Sequence, residues 1–310
     1  MVSISAGTNA VPDPGPGPSI DIVYPELFDA ADATARSGQR GYIQLARVDL
    51  LLLLGGALFS TIAVYAPSGF NVWTFVVAAA LLGATTIVKS ASKMWGAGST
   101  WYDSRAAAEA IKALTWQYMM RASPFDGDDV AAKTQLIALL GSTLDAHPNV
   151  RPLAGRTSGK VEEITTSMRQ IRALPLPERR QYYIERRVDD QVAYYMSKAT
   201  RSHAAAARWF WVDIVARAAA LFFAVAAIVL PEHKPSLAGL LSAVAAAATA
   251  WSQLNRYDDL AKIYSSAAHK LLLLKASLDD ETSEEGFQRL FTGAEATFAS
   301  ESSTWSSKHA

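Results

Sequence analysis

The sequence contains no cysteine, and this absence excludes a disulfide framework, a thiol nucleophile and a cysteine metal site. An excess of charge of either sign is also missing, because 29 Lys and Arg residues balance 29 Asp and Glu residues. The net charge therefore gives no electrostatic reason to bind nucleic acid, and we expect no nucleic-acid partner. We expect no signal leader, since we recognise no basic-then-apolar segment at the start, and the closely spaced prolines there predict a disordered lead over residues 1–23.

The sequence also lacks the patterns that accompany catalysis. The five histidines are scattered along the chain without metal-ligand spacing. The segment Gly155–Val161 resembles a phosphate-binding loop only superficially, because its spacing is one residue short and Val161 replaces the required Ser or Thr. No nucleophile elbow, zincin motif or dinucleotide-binding fingerprint occurs. We therefore expect a protein that is not an enzyme, with no catalytic, cofactor-binding or metal site.

What the sequence does have is four long apolar stretches in two pairs, residues 48–66 with 72–90 and residues 209–230 with 237–252. Because 19% of the residues are charged while the mean hydropathy is slightly positive, the charge must be segregated from these stretches. Crossing a hydrocarbon core of about 30 Å takes about 20 helical residues. The pattern predicts an all-α membrane protein with four transmembrane helices, arranged as two helical hairpins in a lipid bilayer. The alternative is a soluble bundle with unusually apolar core helices.

The distribution of Lys and Arg predicts how the hairpins are oriented. The link at 67–71 carries no charge, and the link at 231–236 carries Lys234 as its only Lys or Arg. Most of the other Lys and Arg residues lie outside the hairpins, and such residues favour the cytoplasmic side. We expect a multi-pass protein whose two termini and long central segment are cytoplasmic.

Charged segments continue each apolar stretch and predict long cytoplasmic helices. We divide the chain into a first two-span unit at 24–147, a linker at 148–176 that contains a short helix, and a second two-span unit at 177–306. Each unit consists of a charged helix, a span, a short loop, a span and another charged helix. This pattern indicates a parallel duplication with a pseudo-two-fold axis along the membrane normal.

Two local matches accompany the architectural repeat. At the start of the first span of each unit, Arg47-Val48-Asp49 parallels Trp211-Val212-Asp213. After the second span, Trp101-Tyr102-Asp103 parallels Arg256-Tyr257-Asp258. Both matches favour a duplication but are too short to establish it.

Two rows of residues at helical spacing form the predicted cytoplasmic coupling surface. The spacing of three or four residues places the members of each row on one helix face. Two interpretations of these rows stay open. The residues either pack helices against one another below the membrane or form a surface for a ligand or partner. Arg and aromatic side chains can stack on and pair with a nucleotide, which is the physical basis of the second interpretation. The members are Trp101, Arg105, Glu109 and Trp116 in the first unit and Arg186, Asp190 and Tyr194 in the second.

A polar pair interrupts the third apolar stretch. Arg217 follows Asp213 by four residues, so the two side chains share a helix face and can form an ion pair. An isolated charge inside lipid is costly, which leaves three interpretations: snorkelling of Arg217 to the headgroups, a structural ion pair, or a polar pore or subunit contact.

The first unit contains a cytoplasmic-helix motif comprising Trp101–Glu109, Lys112, Trp116, Tyr118 and Ser123–Phe125. The second unit contains a motif comprising Tyr182–Gln191, Tyr194, Tyr195, Lys198 and Ala199, followed by Trp251–Tyr257 and the pattern Glu295, Glu301, Trp305. In these motifs the sequence resembles a known family, SLATT, the SMODS and SLOG-associating two-transmembrane effector domains. The resemblance covers residues 24–306 and implies two units in tandem.

The resemblance implies a membrane effector of bacterial nucleotide-controlled conflict systems, resident in the inner membrane. In these systems a sensor or a cyclic-nucleotide signal triggers membrane disruption during phage infection. We recognise no nucleotide-sensing domain in the sequence, so we expect the partner to be a nucleotide second messenger or a separate sensor protein. We also expect a homo-oligomer that forms or gates a pore. The alternatives are a non-conducting scaffold that recruits a cytoplasmic partner, and a small transporter or constitutive channel.

Overall fold

In this computed structural model the described residues are 20–67, 69–150, 162–229 and 236–306, and they contain helices but no strand. Three predictions fall outside them: most of the disordered lead, the segment resembling a phosphate loop, and nearly all of the second hairpin link. The first unit contains helices α1 Glu26–Tyr65, α2 Asn71–Trp95, α3 Ala97–Met119 and α4 Asp129–Ala146, and the linker contains α5 Thr166–Arg172.

The second unit begins with helix α6, Leu176–Tyr183, which continues through a π-helical segment, Ile184–Asp189, into helix α7 without a break. A π-helical segment holds one more residue per turn than the α-helix around it, so it changes which side chains face inward. The remaining helices are α7 Asp190–Val229, α8 Ser236–Asn255, α9 Tyr257–Asp280 and α10 Glu284–Ser306.

Four of the helical stretches are long and apolar enough to cross a membrane, and they form two hairpins. In the first hairpin α1 packs against α2, and in the second α7 packs against α8. Most apolar side chains in these spans face outward, as Phe75, Phe222 and Ile228 do with half or more of their surface exposed. The outward apolar face is what a lipid environment requires, and the chain is an all-α membrane protein.

Helices α1 and α7 are 40 residues long, and each runs from an apolar span into a polar segment without interruption. The second helix of each hairpin is different, because a residue in the left-handed conformation breaks it at Gly96 (φ 56°) and at Arg256 (φ 50°). Long helices therefore follow the second and fourth spans as predicted, and a break at one residue separates each of them from its span.

The breaks also change the alignment of the two units. Gly96 ends α2 and Arg256 ends α8, so Ala97 corresponds to Tyr257. The alignment of the two units by their helix breaks therefore differs by five residues from the sequence match, which paired Trp101 with Arg256. The two helix breaks therefore indicate the duplication more directly than the short sequence match after the second span of each unit does.

The polar segments assemble into an extramembrane core, whose fully buried side chains include Trp116, Met119, Phe125, Tyr183 and Phe287. This core draws residues from both units, so the two units share it. Helix α5 is seven residues long and lies within the segment where a linker with a short helix was predicted, and the Thr165 hydroxyl oxygen caps it by accepting from the Met168 N–H at 3.3 Å.

Residues 20–23 belong to this folded part, so the disordered lead predicted over 1–23 is too long at that end. The hydroxyl of Thr165 donates to the Val23 carbonyl at 2.7 Å, and the Val23 N–H donates to Ser167 Oγ at 3.0 Å. The Tyr182 hydroxyl donates to the Ile20 carbonyl at 2.9 Å. These hydrogen bonds satisfy the backbone of a segment that has no helix of its own.

One glycine brings α1 close to α3. A Cβ atom added at Gly38 would lie 3.0 to 3.1 Å from the backbone N, the Cα and the Cβ of Trp101. Three residues further along α1, a Cβ added at Gly41 would meet nothing within 4 Å. The absence of a side chain at Gly38 is therefore what allows the Trp101 backbone to approach.

We expect Gly38→Ala to lower the free energy of unfolding by about 1–3 kcal/mol, because α1 and α3 must separate to admit the methyl group. The gain in helix propensity, about 0.5–1 kcal/mol, only partly offsets this loss. Gly41→Ala makes the same propensity change without the clash and should be neutral or stabilising. Guanidinium unfolding in detergent, followed by tryptophan fluorescence, measures both variants. Equal stability of the two would contradict the close contact.

Candidate functional site in the extramembrane core and the membrane spans

A buried ion pair lies at the centre of the extramembrane core. Arg187 donates from Nε to Glu295 Oε1 at 3.1 Å and from Nη2 to Oε2 at 2.9 Å. The Tyr183 hydroxyl donates to the same Oε1 at 3.0 Å. Arg187 and Glu295 are only 3% and 7% exposed, so this paired arrangement is what makes their burial tolerable.

The electrostatics of this site keep Arg187 and Tyr183 each in one protonation state. Burial by itself lowers the pKa of Arg187, but the Glu295 carboxylate outweighs it and raises that pKa. Burial and the same carboxylate raise the pKa of the Tyr183 hydroxyl well above its ordinary value. Arg187 therefore stays charged and Tyr183 stays a hydrogen-bond donor at any physiological pH.

Aromatic rings connect the ion pair to the first unit. The guanidinium of Arg187 lies 4.4 Å from the ring centroid of Phe298 and 5.7 Å from that of Trp116. Trp116 is fully buried and donates from Nε1 to the Tyr24 hydroxyl at 3.1 Å. A side chain of α3 thus packs directly against a charge carried by the second unit.

The π-helical segment decides which arginine faces this core. Arg187 and Val188 are buried, whereas Arg186 is exposed and lies 4.0 Å from Asp21. Asp190 is exposed as well. The sequence prediction, which assumed regular α-helical spacing, placed Arg186 on the coupling surface and did not identify Arg187. One sequence feature could have indicated Arg187. Glu295 belongs to the family pattern, and a buried carboxylate needs a cation to pair with.

Three of the predicted coupling residues line one cavity of about 500 Å³ between the units, which we call the junction cavity. Trp101 and Arg105 come from α3, and Tyr194 comes from α7. Glu109 does not line the cavity but pairs with Arg105 at 2.8 Å. The full lining is Gln39, Ile43, Trp101, Tyr102, Arg105, Ala106, Tyr194, Lys198, Arg201, Ser202, Ala205, Leu254, Asn255, Arg256, Tyr257, Leu260 and Tyr264.

The predicted coupling surface is thus not one surface in the folded chain. Trp116 lies in the extramembrane core, Arg186 and Asp190 lie on the outside, and only three members meet at the junction cavity. Among the described residues no group of three or more His, Asp or Glu side chains could hold a metal ion.

The second hairpin carries a polar cluster within its spans. Arg217 donates from Nε to Asp213 Oδ1 at 2.8 Å and from Nη2 to the Thr249 hydroxyl oxygen at 3.2 Å. The Thr249 hydroxyl in turn donates to Asp213 Oδ1 at 3.0 Å. The predicted pair is therefore present, and α8 contributes a third member that the sequence did not indicate. More than half of the Arg217 side chain, 58%, remains exposed on the outside of the hairpin.

The first hairpin has a related contact at the corresponding position. Asp49 of α1 lies 3.8 Å from Lys89 of α2, as Asp213 of α7 contacts Thr249 of α8. Lys89 and Thr249 each lie seven residues before the break that ends their helix. This agreement supports the local match of Arg47-Val48-Asp49 with Trp211-Val212-Asp213.

Comparison with protein-family models found two matches. Residues 25–180 match SMODS and SLOG-associating 2TM effector domain 3, and residues 183–305 match SMODS and SLOG-associating 2TM effector domain 1. The chain belongs to the SLATT family. It carries two SLATT domains in tandem, and the segment at 148–176 falls inside the first of the two matches. Comparison with curated proteins and with solved structures found no match.

We expect Glu295→Gln to lower the free energy of unfolding by about 3–5 kcal/mol, because it leaves the Arg187 charge buried without a counter-charge. The matched control is Glu109→Gln, which removes the same charge opposite Arg105 in a partly exposed pair and should cost less than about 1 kcal/mol. Guanidinium unfolding of the purified chain in detergent gives both values. Similar losses of unfolding free energy in the two variants would contradict the expectation that the buried pair of Arg187 with Glu295 costs more to break than a partly exposed pair.

Proposed function

We propose that this SLATT protein is a homo-oligomeric membrane effector of a bacterial nucleotide-controlled anti-phage conflict system. It resides in the inner membrane with both termini and the central segment in the cytoplasm. A cytoplasmic signal makes it form or open a pore that disrupts the membrane. The family description of both domains as two-transmembrane effectors supports the effector role.

The observation that carries the pore proposal is the exposed ion pair within the third span. Arg217 lies eight residues beyond Trp209, about 12 Å along the helix and inside a hydrocarbon core of about 30 Å, and its guanidinium hydrogen-bonds to Thr249, three residues before the fourth stretch ends. A charge at that depth costs several kcal/mol when it faces lipid. The bonds to Asp213 and Thr249 reduce the cost but leave the guanidinium more than half exposed.

Association with other copies of the chain removes this exposure. Apolar side chains of the spans are satisfied by lipid, whereas the Arg217 cluster requires protein or water on its outer side. Helix α8 offers a surface for close approach, because a Cβ added at Gly239 would meet nothing within 4 Å. Small residues of this kind allow helices to pack closely in a membrane. Copies that meet through the second hairpin would bring their polar clusters together around a common axis.

The continuous helices give a route from the cytoplasmic side to the spans. Helices α1 and α7 each run unbroken from the extramembrane core into the membrane, so a tilt of the core moves the spans with it. A signal that binds the open state better by about 5.5 kcal/mol would move the population from 1:99 to 99:1.

We expect cells that carry an inducible copy, together with its neighbouring genes, to lose membrane potential on phage challenge. Arg217→Leu should reduce this depolarisation strongly, because it removes the charge that copies share around the axis. A voltage-sensitive dye reads the potential, and membrane fractions confirm equal amounts of each variant.

The matched control is Lys89→Leu, which removes a cation from the first hairpin and likewise leaves an aspartate behind. It should depolarise as the parent chain does. An intact potential in challenged cells that express the parent chain would contradict pore formation and favour the non-conducting scaffold. Equal effects of Arg217→Leu and Lys89→Leu on the membrane potential would contradict a specific role of Arg217 in the pore.

A further inference from the structure

The junction cavity lies directly beneath the membrane and between the two SLATT domains. Leu254 follows the fourth apolar stretch by two residues, and Ala205 precedes Trp209, the first residue of the third, by one helical turn. The walls come from α1 and α3 on one side and from α7, α8 and α9 on the other. Its volume of about 500 Å³ suits a small organic ligand.

The lining is cationic. Four of the lining residues, Arg105, Lys198, Arg201 and Arg256, carry positive charge, and none of the lining residues that the structure describes carries a carboxylate. Two of the four charges are balanced from nearby, since Glu109 pairs with Arg105 and Asp259 pairs with Arg256.

The other two cations are not balanced. In the described ranges Lys198 and Arg201 form no ion pair, and they lie three residues apart on one face of α7. The Lys198 ammonium lies 5.5 Å from the ring centroid of Tyr194, a contact that leaves its charge intact. The cavity thus has an excess of two positive charges next to a low-dielectric wall, where an anion is favoured.

Aromatic side chains form another part of the cavity wall. Trp101 and Tyr102 stack with their ring centroids 4.8 Å apart and their planes inclined by 21°, and Tyr264 stacks on Tyr195 at 5.7 Å. The hydroxyls of Tyr194, Tyr257 and Tyr264 belong to the second unit, and burial raises the pKa of Tyr102 in the first unit, which keeps that hydroxyl protonated and uncharged.

We propose that the junction cavity binds the phosphate group of a ligand, held chiefly by Lys198 and Arg201 and reached from the other side by Arg105. Two sources carry this chemistry. One is a soluble compound whose phosphate adjoins a planar ring that packs against the aromatic wall. The other is the headgroup of an anionic phospholipid in the inner leaflet, which lies at the level of the cavity.

The regulatory consequence of binding rests on the proposed function. A phosphate between Arg105 of α3 and Arg201 of α7 would draw together the two domains that form the cavity walls. Because α7 continues unbroken into the third span, this movement would reach the Arg217 cluster. The bound and unbound forms would then differ in how the second hairpins of neighbouring copies meet.

The test measures ligand binding by the full chain in nanodiscs. Equilibrium dialysis measures the binding of ATP, with ribose 5-phosphate as the ringless control and adenosine as the control without phosphate. Native mass spectrometry measures retained phosphatidylglycerol after reconstitution in phosphatidylcholine alone or mixed with phosphatidylglycerol. The variant is Lys198→Ala/Arg201→Ala, and Arg201→Gln alone provides a milder change.

The matched control is Lys262→Ala/Lys270→Ala, which removes two exposed cations of α9 that do not line the cavity. Circular dichroism and elution volume establish that every variant is folded. We expect the cavity variant to bind its ligand about tenfold more weakly or worse, since charged hydrogen bonds to phosphate are lost, and the control to bind as the parent chain does.

Each outcome decides the proposal. Weakened ATP binding assigns the site to a soluble phosphate compound, and weakened retention of phosphatidylglycerol assigns it to the lipid headgroup. Equal behaviour of the cavity variant and the control with both probes, or no binding of either probe to the parent chain, overturns the proposal. None of these measurements needs ion conduction, so a failure of the pore would leave the binding result unchanged.

Discussion

The extramembrane part of the molecule is built around the buried ion pair of Arg187 with Glu295. The pair joins the segment that leads into α7 to the final helix α10, and Trp116 of α3 packs against its cation. Burying two charges is favourable only when geometry and further hydrogen bonds compensate for lost hydration. The Tyr183 hydroxyl and the rings of Trp116 and Phe298 supply those contacts. The two SLATT domains therefore fix one another, because each helps to complete the environment of one pair.

The positions of the junction cavity and of the spans follow from this arrangement. The core holds the lower ends of α3 and α7, and Gly38 allows α1 to approach Trp101 closely. The breaks at Gly96 and Arg256 separate the second span of each hairpin from the helix that follows it. The cationic cavity lies between helices of the two domains, and Arg256 at the second break is part of its lining.

Local sequence was sufficient for the spans and insufficient for the contacts between distant residues. Apolar length predicted both hairpins, and a four-residue separation predicted the pair of Asp213 with Arg217, since both depend on neighbours in the chain. The partner of Arg187 is more than a hundred residues away, and a π-helical segment changed which arginine faces inward. The break at Arg256 occurs without a glycine, so no residue type marked it. Trp101, Arg105 and Tyr194 were recognised as a set, but only the packing of two domains showed that they share a cavity.

The two hairpins differ in a way that bears on assembly. When Asp49 is aligned with Asp213, Leu53 corresponds to Arg217, so only the second hairpin carries a guanidinium within its spans. The Asp49 contact also lies nearer the end of its span, where Lys89 can reach the headgroups. The outer side of the first hairpin can therefore face lipid at little cost, whereas the Arg217 charge on the second hairpin is stabilised by water or protein. In a homo-oligomer this asymmetry favours the second hairpins around the axis and the first hairpins at the periphery. In the proposed oligomer, one domain of the duplicated chain would thus line the pore and the other would contact the lipid.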